Sequence, residues 1–467
     1  MSYRKAFIVS NALMLAAFIW AFVKDFRAEW RPYQAKYYEM SADVLEKQAV
    51  AAKDPKKAAD LKAEARKMRR SPLEIKQIIV GDLGRFDRCV TCHVGMDEYA
   101  NPTLKNDFTE NPYKSHPKVD AALVKAHPFT KFGCTSCHSG QGLATQVEPA
   151  HGWVKHWEKP MLKGVHIQGA CVKCHGNFET LKGAEVAAAG RKLFNSHGCQ
   201  GCHAINGWGG VMSVDLGDIA DKPFERIAGY NFKRVKIQFE GDKAPRELAN
   251  EHHNSEWNIQ NWILGHIVND PAEVTPNDPF AHLNAEPIPP SGMANFTKEI
   301  DREGADAIVA YLSGQTKEEK IPYRYHVPAP APKEPALTGA AHGKFVFSKY
   351  GCQGCHGIDA KQGRRRFNAA GEGQKEFDDK LPEAEKFKSM NIGAEPTLPK
   401  LVGTYTQEEL IKKIEGGVPA IETKKWSAKG PMPMVYMPAW KGKISKQELA
   451  DLATWLRSIA VKDDSGF

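Results

Sequence analysis

At 467 residues the chain is longer than one hydrophobic core supports and reads as about three domains. Hydrophobic residues make up 42% and charged residues 26%, with a mean hydropathy of −0.48, which excludes both a disordered chain and a protein of many membrane spans. The net charge of +8 alone would admit nucleic acid or an anionic surface, but all ten cysteines stand in five C-x-x-C pairs, each followed directly by histidine.

The first predicted element is an anchor, residues 1–24. Ala6 to Val23 is eighteen residues without a charge, between Arg4-Lys5 and Lys24, long enough to cross the hydrocarbon as a helix. It exceeds the apolar run of a secretory signal, and no small-residue cleavage site precedes Lys24, so a retained span is expected. Residues 25–80 read as a helical neck. Ala42 to Arg70 is rich in Ala, Lys and Glu without glycine, broken near Pro55 and ended by Ser71-Pro72, and is expected to be a solvated spacer.

Next come Cys89-Cys92-His93, Cys134-Cys137-His138 and Cys171-Cys174-His175, within residues 81–180. C-x-x-C-H is the haem c attachment signature: two thiols add to the porphyrin vinyl groups and the adjoining histidine reaches the iron. Zinc ribbons use C-x-x-C in twos, and five motifs leave one over; the constant histidine has no part in Cys₄ coordination. Five disulfides between such close neighbours would be strained and redox-active rather than structural. The cofactor is therefore haem c, five covalently attached, and their propionates offset much of the +8, which removes nucleic acid as a partner. Attachment of haem c takes place outside the energy-conserving membrane, so the haem domains are expected in the periplasm on a single-pass anchor in the cytoplasmic (inner) membrane. With Pro and Gly throughout, residues 81–180 have little regular periodicity and should be organised by their cofactors. His116, His127, His151, His156 and His166 lie between the first and third motifs. His116, His127, His151 and His156 lead as sixth ligands for three bis-histidine irons.

The last two motifs sit in repeated units, residues 181–325 and 341–467. GRKLFNSHGCQGCH (Gly190 to His203, with Cys199 and Cys202) and GKFVFSKYGCQGCH (Gly343 to His356, with Cys352 and Cys355) share eight of fourteen positions. Amphipathic helices are predicted at Asp301 to Leu312 and Lys446 to Ile459. Helix, haem motif, variable loops, a methionine and a closing helix resemble a class I cytochrome c over the length of both units. The resemblance implies that Gly190 and Phe194 meet Tyr311, that Gly343 and Phe347 meet Trp455, and that Met293 and Met437 are axial thioethers. Phe224 to Pro271 and Lys361 to Pro396 are insertions expected to be a packed excursion and a solvated loop. The Pro/Ala segment within 326–340 reads as a linker that leaves the last module free to pivot.

The expected fold class is mainly α: a transmembrane helix, a trihaem module with little regular structure and two α-helical cytochrome domains. DRCVTCHVG, HPFTKFGCTSCHSGQGLAT, HGWVKHW and CVKCHG, within residues 81–180, resemble the multihaem cytochromes that accompany bacterial quinol-oxidising cytochrome b complexes (bc-type). That resemblance implies cytochrome b-like membrane subunits as electron donors, a soluble cytochrome or terminal oxidase as acceptor, and lipid around the N-terminal helix. The competing expectation is a catalytic multihaem reductase of the nitrite or hydroxylamine type. It needs an open iron face, and no motif here has lysine in place of the proximal histidine.

Overall fold

A computed structural model describes residues 2–97, 106–117, 122–154, 157, 159–206, 209–210, 213–222, 235–237, 246–248, 258–268, 296, 300–317, 336–356, 360, 398–417 and 437–461. It is mainly helical and divides into two compact units, Met1–Val154 and Lys155–Phe467. The first two haem motifs fall in the first unit and the other three in the second. Much of both insertions and of the Pro/Ala linker lies outside the described residues, as do Met293 and His156.

In the first unit, α1 (Tyr3–Phe26) has no buried residue and is apolar and long enough to cross a membrane. The neck segment is helical, is broken before Pro55, and folds back on itself as a packed pair. Helix α2 (Trp30–Ala51) and α3 (Pro55–Arg69) pair in sequence, and Arg69 bridges back to Asp43 at 2.7 Å and Glu46 at 3.0 Å. Proline is tolerated at the start of α3 because its missing N–H is an orphan there, and Asp54 caps the turn by accepting from the Lys56 amide. The difference from a spacer lies in α2: Trp30, Gln34, Tyr37 and Tyr38 recur at helical spacing and are buried. The Gln34 amide is fully buried, donating to Glu74 O and accepting from Glu74 N. Tyr37 and Tyr38 form a core with Val94, beside the first haem motif, and Tyr113. A hairpin of β1 (Ile78–Val80) and β2 (Arg85–Asp87), turned by Gly84 at φ 59°, delivers Asp87 next to that motif.

In the second unit each cytochrome module is built on a crossing of its first and last helices. Helix α4 (Glu185–Ser196) crosses α6 (Arg302–Leu312), with α5 (Ile259–Val268) beside it. Helix α7 (Gly339–Lys349) crosses α9 (Lys446–Ser458), with α8 (Gln407–Gly416) alongside. A Cβ on Gly190 would lie 1.9 Å from Ala307 O, and one on Gly343 would lie 2.0 Å from Asp451 O, so only glycine permits either approach. Phe194 then meets Tyr311 edge-on at 5.9 Å, and Phe347 meets Trp455 at 4.9 Å. The cores are filled by Phe178, Trp262, Ile263 and Ile308 in one module and by Val346, Leu410, Trp440 and Leu452 in the other. Reciprocal Ser445/Glu448 hydrogen bonds start α9, and Asp301 starts α6 by accepting from Gly304 N. The modules touch through the turn at Cys199–Gly201 and the short helix Gln353–His356.

Candidate haem sites

In the first unit the second motif is seated on a carboxylate. Asp87, fully buried, accepts from the backbone N–H groups of Cys134 (2.5 Å) and Thr135 (2.9 Å) and from the Thr135 hydroxyl (2.8 Å). These are orphan donors at the start of the motif's helical turn, so Asp87 serves as a cap supplied from a distant strand. Arg88, next in sequence, donates its N–H to Gly142 O, tying the region before Cys89 to the segment after His138. A hydrogen bond with Cys89, together with burial, pushes the Cys134 thiol well above its usual range. The first two attachment motifs are thus in side-chain contact.

Two of the candidate distal histidines stand opposite motif histidines. The His93 and His151 ring centres are 6.4 Å apart at 72°, and those of His138 and His116 are 6.0 Å apart at 75°. Two imidazoles sharing one metal from opposite faces place their ring centres roughly 6 Å apart, since each nitrogen sits about 2.0 Å from the metal and about 1.1 Å from its own ring centre. The observed separations fit that arrangement. Trp153 backs the His151 ring at 4.7 Å and Phe129 backs His116 at 5.2 Å. Burial lowers the pKa of His93 to about 4, with the charges of His151, His138 and Lys114 adding to it, and lowers those of His138 and His116. Neutral imidazole is the form that binds metal. His127 is placed elsewhere, with its Nδ1 2.8 Å from Leu123 O and its ring on Phe132.

The third motif, on the helix Gly169–Cys174, packs against the first cytochrome module. A Cβ on Gly169 would lie 2.6 Å from Ala310 O and one on Gly314 2.4 Å from Val172 Cβ, while Cys171 and Val172 join that module's core. His166 lies 3.2 Å from the Asp306 carboxylate on α6. In the first cytochrome module, His203 donates Nδ1–H to Val214 O at 3.0 Å, which leaves Nε2 with the lone pair a metal needs. Burial lowers the His203 pKa. A residue missed by sequence reasoning is His266 on α5. Its Nδ1 donates to Trp262 O at 2.8 Å, its ring lies 3.8 Å from that of Trp262, and burial, with Lys222 and His203 adding, brings its pKa down to about 4. Its only signal in the sequence is one histidine four residues after a tryptophan in an apolar run. In the second module Met437 packs on the core that holds Trp440, and Cys352 adjoins the same cluster.

Burial pushes the Cys92 thiol up to about 11 and the Cys352 thiol up to about 12. Among the described residues no three His, Cys, Asp or Glu side chains converge on one metal position. Paired imidazoles next to C-x-x-C thiols suit haem c, to which these residues would supply nitrogen ligands and thioethers.

These features define a c-type haem protein. The cytochrome c family model matches residues 187–316 and again 340–460, more than half of the chain, and the chain belongs to that family, with two cytochrome c domains in tandem. Neither the curated proteins nor the solved structures gave a match. Covalently bound haem c, and with it haem-based electron transfer, follows from the two domains.

Proposed function

We propose that the chain is the pentahaem electron-transfer subunit of a membrane respiratory complex of the quinol-oxidising, cytochrome bc type. Haem c supplies a reversible one-electron couple at its iron. Cys89/Cys92, Cys134/Cys137, Cys171/Cys174, Cys199/Cys202 and Cys352/Cys355 hold the five groups, with His93, His138, His175, His203 and His356 proximal. His151 and His116 would share an iron with His93 and His138 respectively, and Met293 and Met437 would supply thioethers in the two cytochrome domains. Thioether ligation raises haem potential relative to bis-imidazole ligation, so the chain passes electrons from the motifs following the anchor toward the C-terminal domains. There a periplasmic carrier or oxidase takes them. Helix α1 holds the protein at the inner membrane, beside a cytochrome b-like donor.

The observation that carries this reading is the pairing of His93 with His151 and of His138 with His116. The two irons so paired would have both faces closed, as in an electron carrier, whereas a reductase would need an open face at one of the remaining irons. The test is a pyridine haemochrome assay returning five equivalents, followed by a potentiometric titration in which the methionine-ligated haems lie above the bis-histidine set. Carbon monoxide binding to the reduced native protein would favour a catalytic reductase instead, and copurification from solubilised membranes would identify the donor.

A further inference from the structure

The two cytochrome modules meet through their haem-attachment segments, by a contact that repeats in both directions. Aligning GRKLFNSHGCQGCH with GKFVFSKYGCQGCH makes Asn195 the counterpart of Ser348 and Gln200 the counterpart of Gln353. Gln200 Nε2 donates to Ser348 O at 2.5 Å, and Gln353 Nε2 donates to Asn195 O at 2.6 Å. Each glutamine is the residue after the first thioether cysteine of its motif, and each acceptor is a carbonyl in the last turn of the other module's first helix. Equivalent residues exchanging equivalent bonds is the signature of a two-fold, self-complementary interface, here between two halves of one chain. The backbones are correspondingly close. A Cβ on Gly201 would lie 2.5 Å from Gly351 O, and one on Gly351, at φ 71°, would lie 2.4 Å from Gly201 N. Gln353 is buried in this contact.

We propose that these bonds lock the two cytochrome domains into a fixed dihaem pair, with the C-x-x-C-H segments back to back, so that the chain's last internal electron step crosses a permanent contact. On this proposal the terminal module is docked rather than pivoting on its linker. A side chain at position 201 or 351 would force the segments apart, and loss of either glutamine would remove one of the two matched bonds. The proposal rests on the electron-transfer reading of these domains and adds the route between them.

The test uses the full-length holoprotein. Hydrogen exchange is followed in the segments spanning 195–203 and 348–356, and internal electron equilibration after flash photoreduction is measured while viscosity is raised with glycerol. Slow exchange in both segments and a transfer rate indifferent to viscosity are expected. In the double variant Gln200→Ala/Gln353→Ala, exchange should rise roughly tenfold or more, given the net worth of two hydrogen bonds, and transfer should become viscosity-dependent at unchanged haem content. Gly201→Leu should act the same way; if it does not mature, the glutamine variant carries the test. Wild-type segments that exchange as fast as those of the variant, or transfer that slows with viscosity in the wild type, would overturn the docked pair and leave electron transfer standing. Protected segments without internal transfer would uphold the docking and reject the electron-transfer reading beneath it.

Discussion

On the proposed ligation, single side chains decide which faces of the irons are closed. Replacing His151 by Ala should open the iron at His93, and replacing His116 should open the one at His138. Each variant is expected to convert one haem equivalent from low to high spin and to bind carbon monoxide, read by electron paramagnetic resonance and optical titration, with the other haems unchanged. Glu448 sets an acid limit on the second module. Burial opposes its ionisation, yet hydrogen bonds from Lys349 (2.8 Å) and Ser445 hold its pKa down at about 2, against an ordinary 4.5. An acid held low in the folded state contributes stability above its unfolded value, lost as pH falls from about 4.5 toward 2. Glu448→Gln should remove about 1–2 kcal/mol of that acid-side slope, allowing for solvent screening, as seen in melting temperatures between pH 5 and 2. At this scale the sequence displayed the five thiol pairs and the histidine after each outright, because their spacing is local. Asp87 and the two motif glutamines were not legible: their partners lie 47, 148 and 158 positions away, and no periodicity records a pairing at that range.

At the scale of elements, the helix crossings were legible through the resemblance to class I cytochromes c, which implied that Gly190 and Phe194 meet Tyr311 and that Gly343 and Phe347 meet Trp455. Gly343→Val should cost roughly 2–3 kcal/mol, because the added atoms collide with the Asp451 backbone rather than with a movable side chain. Denaturant unfolding of the holoprotein, followed at the haem absorption, measures it. Helix α2 shows why other elements were misread. Ala42 to Arg70, which begins within it, has the Ala, Lys and Glu content of a solvated helix, but ahead of that segment Trp30, Gln34, Tyr37 and Tyr38 form a buried stripe that packs beside the first C-x-x-C-H motif. Composition reports helix propensity and is silent about what a stripe packs against. His266 was overlooked for a related reason: a histidine in an apolar helix becomes notable only when the fold brings it near His203.

At the scale of the whole molecule, the first unit joins an exposed apolar helix to a core that carries the first two C-x-x-C-H motifs, with little chain between them. Helix α1 ends at Phe26 and α2 begins at Trp30, itself buried. Inserting a twelve-residue Gly/Ser spacer between Phe26 and Trp30 should leave haem content and membrane association intact but slow reduction by quinol in native membranes at least tenfold, as followed by stopped-flow absorbance. Undiminished reduction would show that proximity to the bilayer is irrelevant to how the protein is charged with electrons. The consequence of that short junction is a stand-off height. A domain on a leash samples a hemisphere of solvent, whereas on the proposed anchoring a stalk that runs on after three residues into a packed helix would hold the first C-x-x-C-H motif at one altitude above the lipid.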